Sequence, residues 1–98
     1  MTSKQRAYLR SLANTLQPIV HVGKGGLSDT IEKQADDALT ARELVKGKVL
    51  ESAPDTARDT AEALAQAVNA QVVQVIGRVF VLYRPNAEEP KIVLPRAR

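Results

Sequence analysis

The stretch Pro18-Ile19-Val20-His21-Val22-Gly23-Lys24-Gly25-Gly26-Leu27-Ser28 decides the fold. Ile19 to Val22 is short, apolar and β-branched, which is the composition of a strand. Ser28 suits the position just before a helix, where its hydroxyl can accept an orphan backbone N–H. Ile31, Ala35, Ala38 and Leu39 then recur at helical spacing. A strand, a glycine turn and a helix in that order begin an α/β unit.

Upstream, the spacing predicts a helix over 3–16. Thr2 or Ser3 can cap it, and Leu9, Leu12, Ala13 and Leu16 form its apolar stripe. Ser3, Arg6, Arg10, Asn14 and Gln17 line the other side, and Pro18 stops the helix. Downstream, Leu44 to Leu50 reads as a second strand. Its alternation puts Val45, Gly47 and Val49 on one face and Leu44, Lys46, Lys48 and Leu50 on the other. Pro54 suits the first turn of a third helix, with Ala57, Ala61, Leu64, Ala65 and Val68 buried and Asp55, Asp59 and Glu62 outside. Val72 to Ile76 and Val79 to Tyr83 make a hairpin across Gly77-Arg78, which fits a type II′ turn. Lys91 to Leu94 is predicted as a short edge strand, and Arg96-Ala97-Arg98 as a loose basic tail.

The predicted order is α-β-α-β-α-β-β. It implies one compact α/β domain over 1–98, with a mixed sheet of about four strands, a core over about 3–84 and a C-terminal extension over 85–98. Two crossovers through helices favour parallel pairing, and the hairpin adds an antiparallel strand. With 98 residues there is room for one core. No internal repeat or linker interrupts it.

Composition narrows the function. The chain has no Cys and one His, so thiolate metal sites and a Cys nucleophile are excluded, and a zinc site would depend on carboxylates. The basic N-terminal residues are not followed by an apolar signal-peptide core. No apolar run approaches the ~20 residues of a bilayer span. The expected location is cytoplasmic, with no membrane partner. The formal charge is +3, unevenly spread. From Met1 to Ser28 the charged side chains are Lys4, Arg6, Arg10 and Lys24, all basic, whereas acids become abundant from Asp29 onward. One end of the chain thus offers the positive surface that nucleic acid selects.

Gly23-Lys24-Gly25-Gly26 is the leading candidate for chemistry. Backbone N–H groups at a helix start have no intrahelical acceptors. Glycine lets a phosphate approach the backbone, and Lys24 adds charge. Three readings remain open at this stage. The loop can be a glycine-rich turn without a ligand. It can be a nucleotide pocket with Glu43 at ribose distance, although Gly-Lys-Ser/Thr is missing and Ser28 stands in place of the third glycine of Gly-x-Gly-x-x-Gly. It can also be a Gly-x-x-Gly clamp on an RNA backbone, as in KH-type domains. The basic helix beside it favours the clamp. Arg6 and Arg10 lie one turn apart and can follow one phosphate track or simply form a solvated helix face. Lys46 and Lys48 on one strand face can extend that track or equally serve as edge-strand charges that block aggregation. His21 reads as a half-buried structural residue. Asp36-Asp37 and Glu88-Glu89 read as solvated charges. The only aromatics are Tyr8, Phe80 and Tyr83, some of them destined for the core. That scarcity points to backbone and shape recognition of structured RNA.

Four stretches together resemble a known family. They are Lys4-Gln5-Arg6 with Tyr8-Leu9-Arg10-Ser11-Leu12-Ala13; Pro18-Ile19-Val20 with Val22-Gly23-Lys24-Gly25-Gly26; Ala41-Arg42-Glu43-Leu44-Val45-Lys46; and Val75-Ile76-Gly77 with Val81-Leu82-Tyr83-Arg84. Their order and spacing are similar to those of YhbY-like stand-alone CRM domains (chloroplast RNA splicing and ribosome maturation). The resemblance spans about residues 3–95. It implies a fold similar to the C-terminal domain of bacterial translation initiation factor three. It also implies RNA binding without catalysis or cofactor, and association with rRNA in precursors of the large ribosomal subunit. The family's suspected RNA contact maps onto Gly23, Lys24, Gly25 and Gly26, and its basic helix face onto Arg6 and Arg10. Gly47 departs from the family, which prefers an apolar side chain there, and is expected to weaken the second strand or mark a bulge.

The expected protein is a monomeric RNA-binding module that assists ribosome assembly. Its contacts would be the glycine loop and a track of Arg6, Arg10, Lys24, Lys46 and Lys48. Two rivals use other features. One is a nucleotide-dependent enzyme built on the same loop. The other is a ribosome-associated adaptor docking through Asp55, Asp59 and Glu62.

Overall fold

The computed structural model describes residues 1–96. Helix α1 spans Ser3–Ala13, strand β1 Val20–Val22, helix α2 Asp29–Arg42, strand β2 Leu44–Val49, helix α3 Ala57–Ala67, strand β3 Gln71–Ile76 and strand β4 Val79–Tyr83. All seven principal elements occur in the order the sequence predicts. Each helix start has a side-chain cap. The Thr2 hydroxyl accepts the N–H of Gln5, whose own side-chain carbonyl accepts the N–H of Thr2, closing a capping box. Ser28 caps α2 and Thr56 caps α3 in the same sense.

The strands form one sheet in the order β1-β2-β4-β3. β1 and β2 run parallel, with His21 opposite Lys48. β4 is antiparallel to both β2 and β3. β3 therefore points the same way as β2 without touching it, because the hairpin folds β4 back into the gap. Gly77, at φ 59°, is followed by Arg78 at negative φ, as a type II′ turn requires.

Pleating sends alternate residues to opposite faces. One face carries Val20, Val22, Val45, Val49, Phe80 and Leu82 and packs under α2 and α3, where Ala35, Leu39, Ala61 and Leu64 are fully enclosed. The other carries Leu44, Val73, Val81 and Tyr83 under Leu9 and Ala13 of α1. The first face is covered along its length. The second is covered only where α1 and the side chains of Leu16, Ile92 and Leu94 lie.

Several local expectations change. α1 ends at Ala13, not residue 16, because Asn14 and Thr15 are poor helix formers that take up a turn; Leu16 still packs on the α1 cluster. Pro54 lies ahead of the Thr56 cap rather than in the first turn of α3. Residues 91–94 are not a strand. The N–H groups of Lys91 and Ile92 turn inward to the Glu43 carboxylate, while the Ile92 and Leu94 side chains cover the α1 cluster. Gly47 marks no bulge; it pairs regularly with Val20 and Phe80. The irregularity lies in β3, where Val73 is inserted between Val72, opposite Leu82, and Gln74, opposite Val81. Of the predicted basic tail, Arg96 is exposed, and residues 97–98 lie outside the described range.

Candidate nucleic-acid interface

Gly23 to Gly26 forms a tight turn closed by the Gly26 N–H donating to the Gly23 carbonyl at 2.9 Å. Lys24 and Gly25 occupy its corner without positive φ, which makes it a type I turn. Gly26 follows at φ 66°, and a Cβ there would stand 3.1 Å from Pro54 Cγ. Glycine is thus required at 26 by the fold. Gly25 differs, because a Cβ at that position would meet nothing within 4 Å. The fold leaves the corner of this turn open to the outside. The N–H groups of Lys24 and Gly25 have no backbone acceptor among the described residues.

The start of α2 is a poorer anion site than its position suggests. Asp29 and Glu32 occupy its first turn, and the Ser28 hydroxyl takes the Ile31 N–H at 3.3 Å. Negative side chains there already complement the helix dipole and repel a phosphate. The turn corner, not the helix end, is the accessible donor group.

Lys46 and Lys48 lie on the α1 side of the sheet, two residues and about 7 Å apart along β2. His21 is their neighbour on β1, directly across from Lys48. It is exposed rather than half-buried, because α1 does not reach this end of the sheet. Lys24 follows His21 by three residues. None of the Lys24, Lys46, Lys48 or Arg10 side chains pairs with a carboxylate among the described residues. The structure therefore brings Lys24, Lys46, Lys48 and the glycine turn to the β1-β2 half of the molecule.

Arg6 is placed elsewhere. Its Nη1 donates to the carbonyls of Val72 and Val73, at 2.7 and 2.8 Å. These are the oxygens that the β3 bulge turns away from the ladder, so Arg6 ties α1 to the far edge of the sheet. Removing it should leave both carbonyls short of a partner. Arg6→Ala is expected to cost about 2 kcal/mol, read as a lower urea midpoint; an unchanged midpoint would deny the tie any role. Arg10 is exposed on the last turn of α1.

Two further groups have partners that the sequence does not reveal. Glu43 is fully buried. Its carboxylate accepts the N–H groups of Lys91 and Ile92 at 2.7 Å each and of Asn86 at 2.6 Å. Burial alone would raise its pKa. The three backbone N–H bonds and the charge of Lys91 outweigh that and hold it below its ordinary 4.5. Both oxygens are occupied, so Glu43 cannot serve a ribose, and the nucleotide-pocket reading loses its second contact. Arg84 donates to the Asp36 carboxylate at 2.6 Å, to Thr40 Oγ1 at 2.8 Å and to the Val68 carbonyl at 2.8 Å. Asp36 is thus anchored by Arg84 while its side chain remains 54% exposed. Among the described residues no cluster of His, Asp and Glu is arranged to hold a metal, and no helix is long and apolar enough to cross a membrane.

The family model of the CRS1/YhbY (CRM) domain matches residues 1–84. The chain belongs to this family. This CRM domain is 46% identical over 95 residues to Probable RNA-binding protein YqeI of Bacillus subtilis, covering 97% of this chain and 99% of that protein. It is 38% identical over 96 residues to an RNA-binding protein of Haemophilus influenzae, covering 98% and 96%. The solution structure of the Staphylococcus aureus protein SAV1595 matches it with a TM-score of 0.79 at 45% identity, over 97% of this chain and all of the other. The family match ends where the Glu43-bound segment begins. The CRM domain proper thus contains the sheet, the three helices and the glycine turn, and residues 85–96 are strapped onto it.

Proposed function

We propose that this CRM domain binds the phosphate backbone of structured RNA, rRNA in precursors of the large ribosomal subunit, and assists assembly without performing chemistry on it. The observation that carries this reading is the open corner of the glycine turn. Gly25 has space for a side chain and a φ that any residue adopts, yet the position is glycine. Among the described residues the N–H groups of Lys24 and Gly25 have no backbone acceptor and the exposed Lys24 side chain pairs with no carboxylate. A phosphodiester fits such a corner because it is anionic, accepts several hydrogen bonds and must come close to the backbone. Lys46 and Lys48 continue the positive surface along β2, and Arg10 adds an exposed charge on the last turn of α1. Arg6 lies off this surface, its Nη1 held by the carbonyls at the β3 bulge. The relatives' names as RNA-binding proteins support the ligand class.

The test separates the turn from general charge. A structured rRNA fragment is titrated by fluorescence anisotropy across salt concentrations. Lys24→Ala is expected to weaken binding and to flatten the log–log salt slope by about 0.7–0.9, one phosphate contact. Gly25→Ala leaves the thermal midpoint level or slightly raised, because its Cβ meets no atom and the unfolded chain loses freedom. It should nevertheless weaken RNA binding several-fold by holding the phosphate off the backbone. If Gly25→Ala binds as wild type and Lys24→Ala keeps the full slope, the turn is not the clamp. Binding no better than that of an unrelated protein of equal charge would defeat the RNA reading for the free domain.

A further inference from the structure

The α1 side of the sheet is only half covered. α1 and residues 92 and 94 lie over Leu44, Val73, Val81 and Tyr83. Beyond them the sheet carries one complete cross-strand row. His21 on β1 stands opposite Lys48 on β2, Lys48 opposite Val79 on β4, and Val79 opposite Ile76 on β3. All four point to this face, because their neighbours Val20, Val22, Val49, Phe80 and Val75 pack on the other. Four strands set His21 and Ile76 about 14 Å apart.

This row is unlike an ordinary solvated sheet face. Ile76 is 64% exposed, the second most exposed large apolar side chain of the described residues. Val79 beside it is half-buried, and Gln74 flanks them. The other half of the row holds an imidazole and an ammonium, with Lys46 behind. The row also adjoins the glycine turn, since Gly23 follows His21 by two residues. A strip, apolar on one half and cationic on the other, next to a phosphate corner, complements a short unpaired nucleotide segment. Its bases would lie on Ile76, Val79 and the His21 ring, and its phosphates would face Lys48 and Lys46. A duplex offers phosphates but no free base faces, so it would leave the apolar half wet.

We propose that this row binds a single-stranded RNA segment adjoining the structured element gripped at the glycine turn. The preferred ligand is therefore a duplex–single-strand junction. The proposal rests on the phosphate-clamp reading and adds to it a second, base-contacting surface.

Two probes distinguish the two readings. One is a blunt RNA hairpin; the other is the same hairpin with a six-nucleotide uridine tail at its 3′ end, with a 5′-tailed version in parallel. Wild type should bind one tailed form about five-fold more tightly than the blunt one, the yield of burying a small apolar patch on a base. Ile76→Ser should bring that preference below two-fold and leave blunt-hairpin affinity and the thermal midpoint essentially unchanged. Ile76→Tyr, which offers a stacking ring at the same place, should raise the preference. If wild type binds blunt and tailed hairpins equally, the row is not a single-strand surface, while the phosphate clamp stands on its blunt-hairpin affinity. Loss of all hairpin binding in wild type defeats both. A tail preference that Ile76→Ser and Ile76→Tyr leave untouched places the base contact elsewhere. Sedimentation of wild type that rises with concentration, and returns to the monomer value in Ile76→Ser, would assign the strip to a second copy of this chain and overturn the proposal.

Discussion

Gly47→Ala is expected to destabilise the domain by about 3 kcal/mol, lowering the melting temperature by roughly 15 °C for a chain of this size. The cause is the ring of Phe80, which lies across the glycine in the neighbouring strand. A Cβ at position 47 would stand 2.6 Å from Phe80 Cε1 and 2.9 Å from Cε2, with Cζ closer still. Phe80 is the largest fully buried side chain, enclosed among Val20, Val45, Leu64 and Leu82, so its ring has nowhere to move. Gly47 therefore creates the space the core's one phenylalanine fills, and the pair behaves as a single packing unit. A double-mutant cycle checks this. Phe80→Leu alone should cost stability by leaving a void, but Gly47→Ala combined with Phe80→Leu should cost less than the two singles added, by 1 kcal/mol or more. Strict additivity would mean that the ring is not what confines position 47.

That same glycine shows where the sequence was readable and where it was not. Every helix and principal strand announces itself through near neighbours, as with Ser28 capping the helix that Ile31, Ala35 and Leu39 stabilise, or Gly77-Arg78 turning the hairpin. Features set by distant residues stay hidden. In isolation Gly47 looks like a weak point in a strand; only the register that puts Phe80 opposite it explains it. Arg6 looks like half of a phosphate track, because its acceptors at 72 and 73 lie far along the chain and exist only if β3 bulges. Periodicity gives the strands but not their order, since inserting β4 between β2 and β3 is a choice made by the hairpin after the crossover. His21 is misjudged for a related reason. A β-branched strand implies two covered faces, but α1 is too short to cover the second. The glycine turn was legible as a place but not in its donors. The sequence suggests the helix start, whereas Asp29 and Glu32 at that start leave the turn corner as the free group.

Glu43 did leave a trace in the sequence. An acid just past the C-terminus of a helix opposes the helix dipole, and the position after α2 adopts φ 66°, where glycine or asparagine is the usual choice. A residue that is wrong both for charge and for backbone has to be held by something else, here the N–H groups of Asn86, Lys91 and Ile92. Glu43→Gln should then cost about 3 kcal/mol at neutral pH. The amide nitrogen cannot accept, so it sets donor against donor and orphans at least one buried N–H. The effect depends on pH in a defined direction. The carboxyl is held below its ordinary 4.5 in the folded chain, so its contribution is complete above that value and is lost as pH falls through the folded pKa. Urea midpoints of wild type and Glu43→Gln should differ most at pH 7 and converge in acid, where the wild-type carboxyl is also protonated. A gap that stays constant down to pH 3 would show that the charge plays no part. Glu43→Gly should be less harmful than Glu43→Ala by about 1 kcal/mol, because glycine tolerates the left-handed backbone that alanine resists. An independent readout sits beside it. Burial and the Glu43 charge both push the Tyr83 phenol above its ordinary 10.0. In Glu43→Gln only burial remains, so the tyrosine titration should move down while Tyr83 stays enclosed. Amide exchange at Lys91 and Ile92 should accelerate in the same variant while that of β2 and β4 scales only with global stability. Uniform acceleration across the sheet would instead show that residues 85–96 are not separately held by Glu43, but unfold with the core.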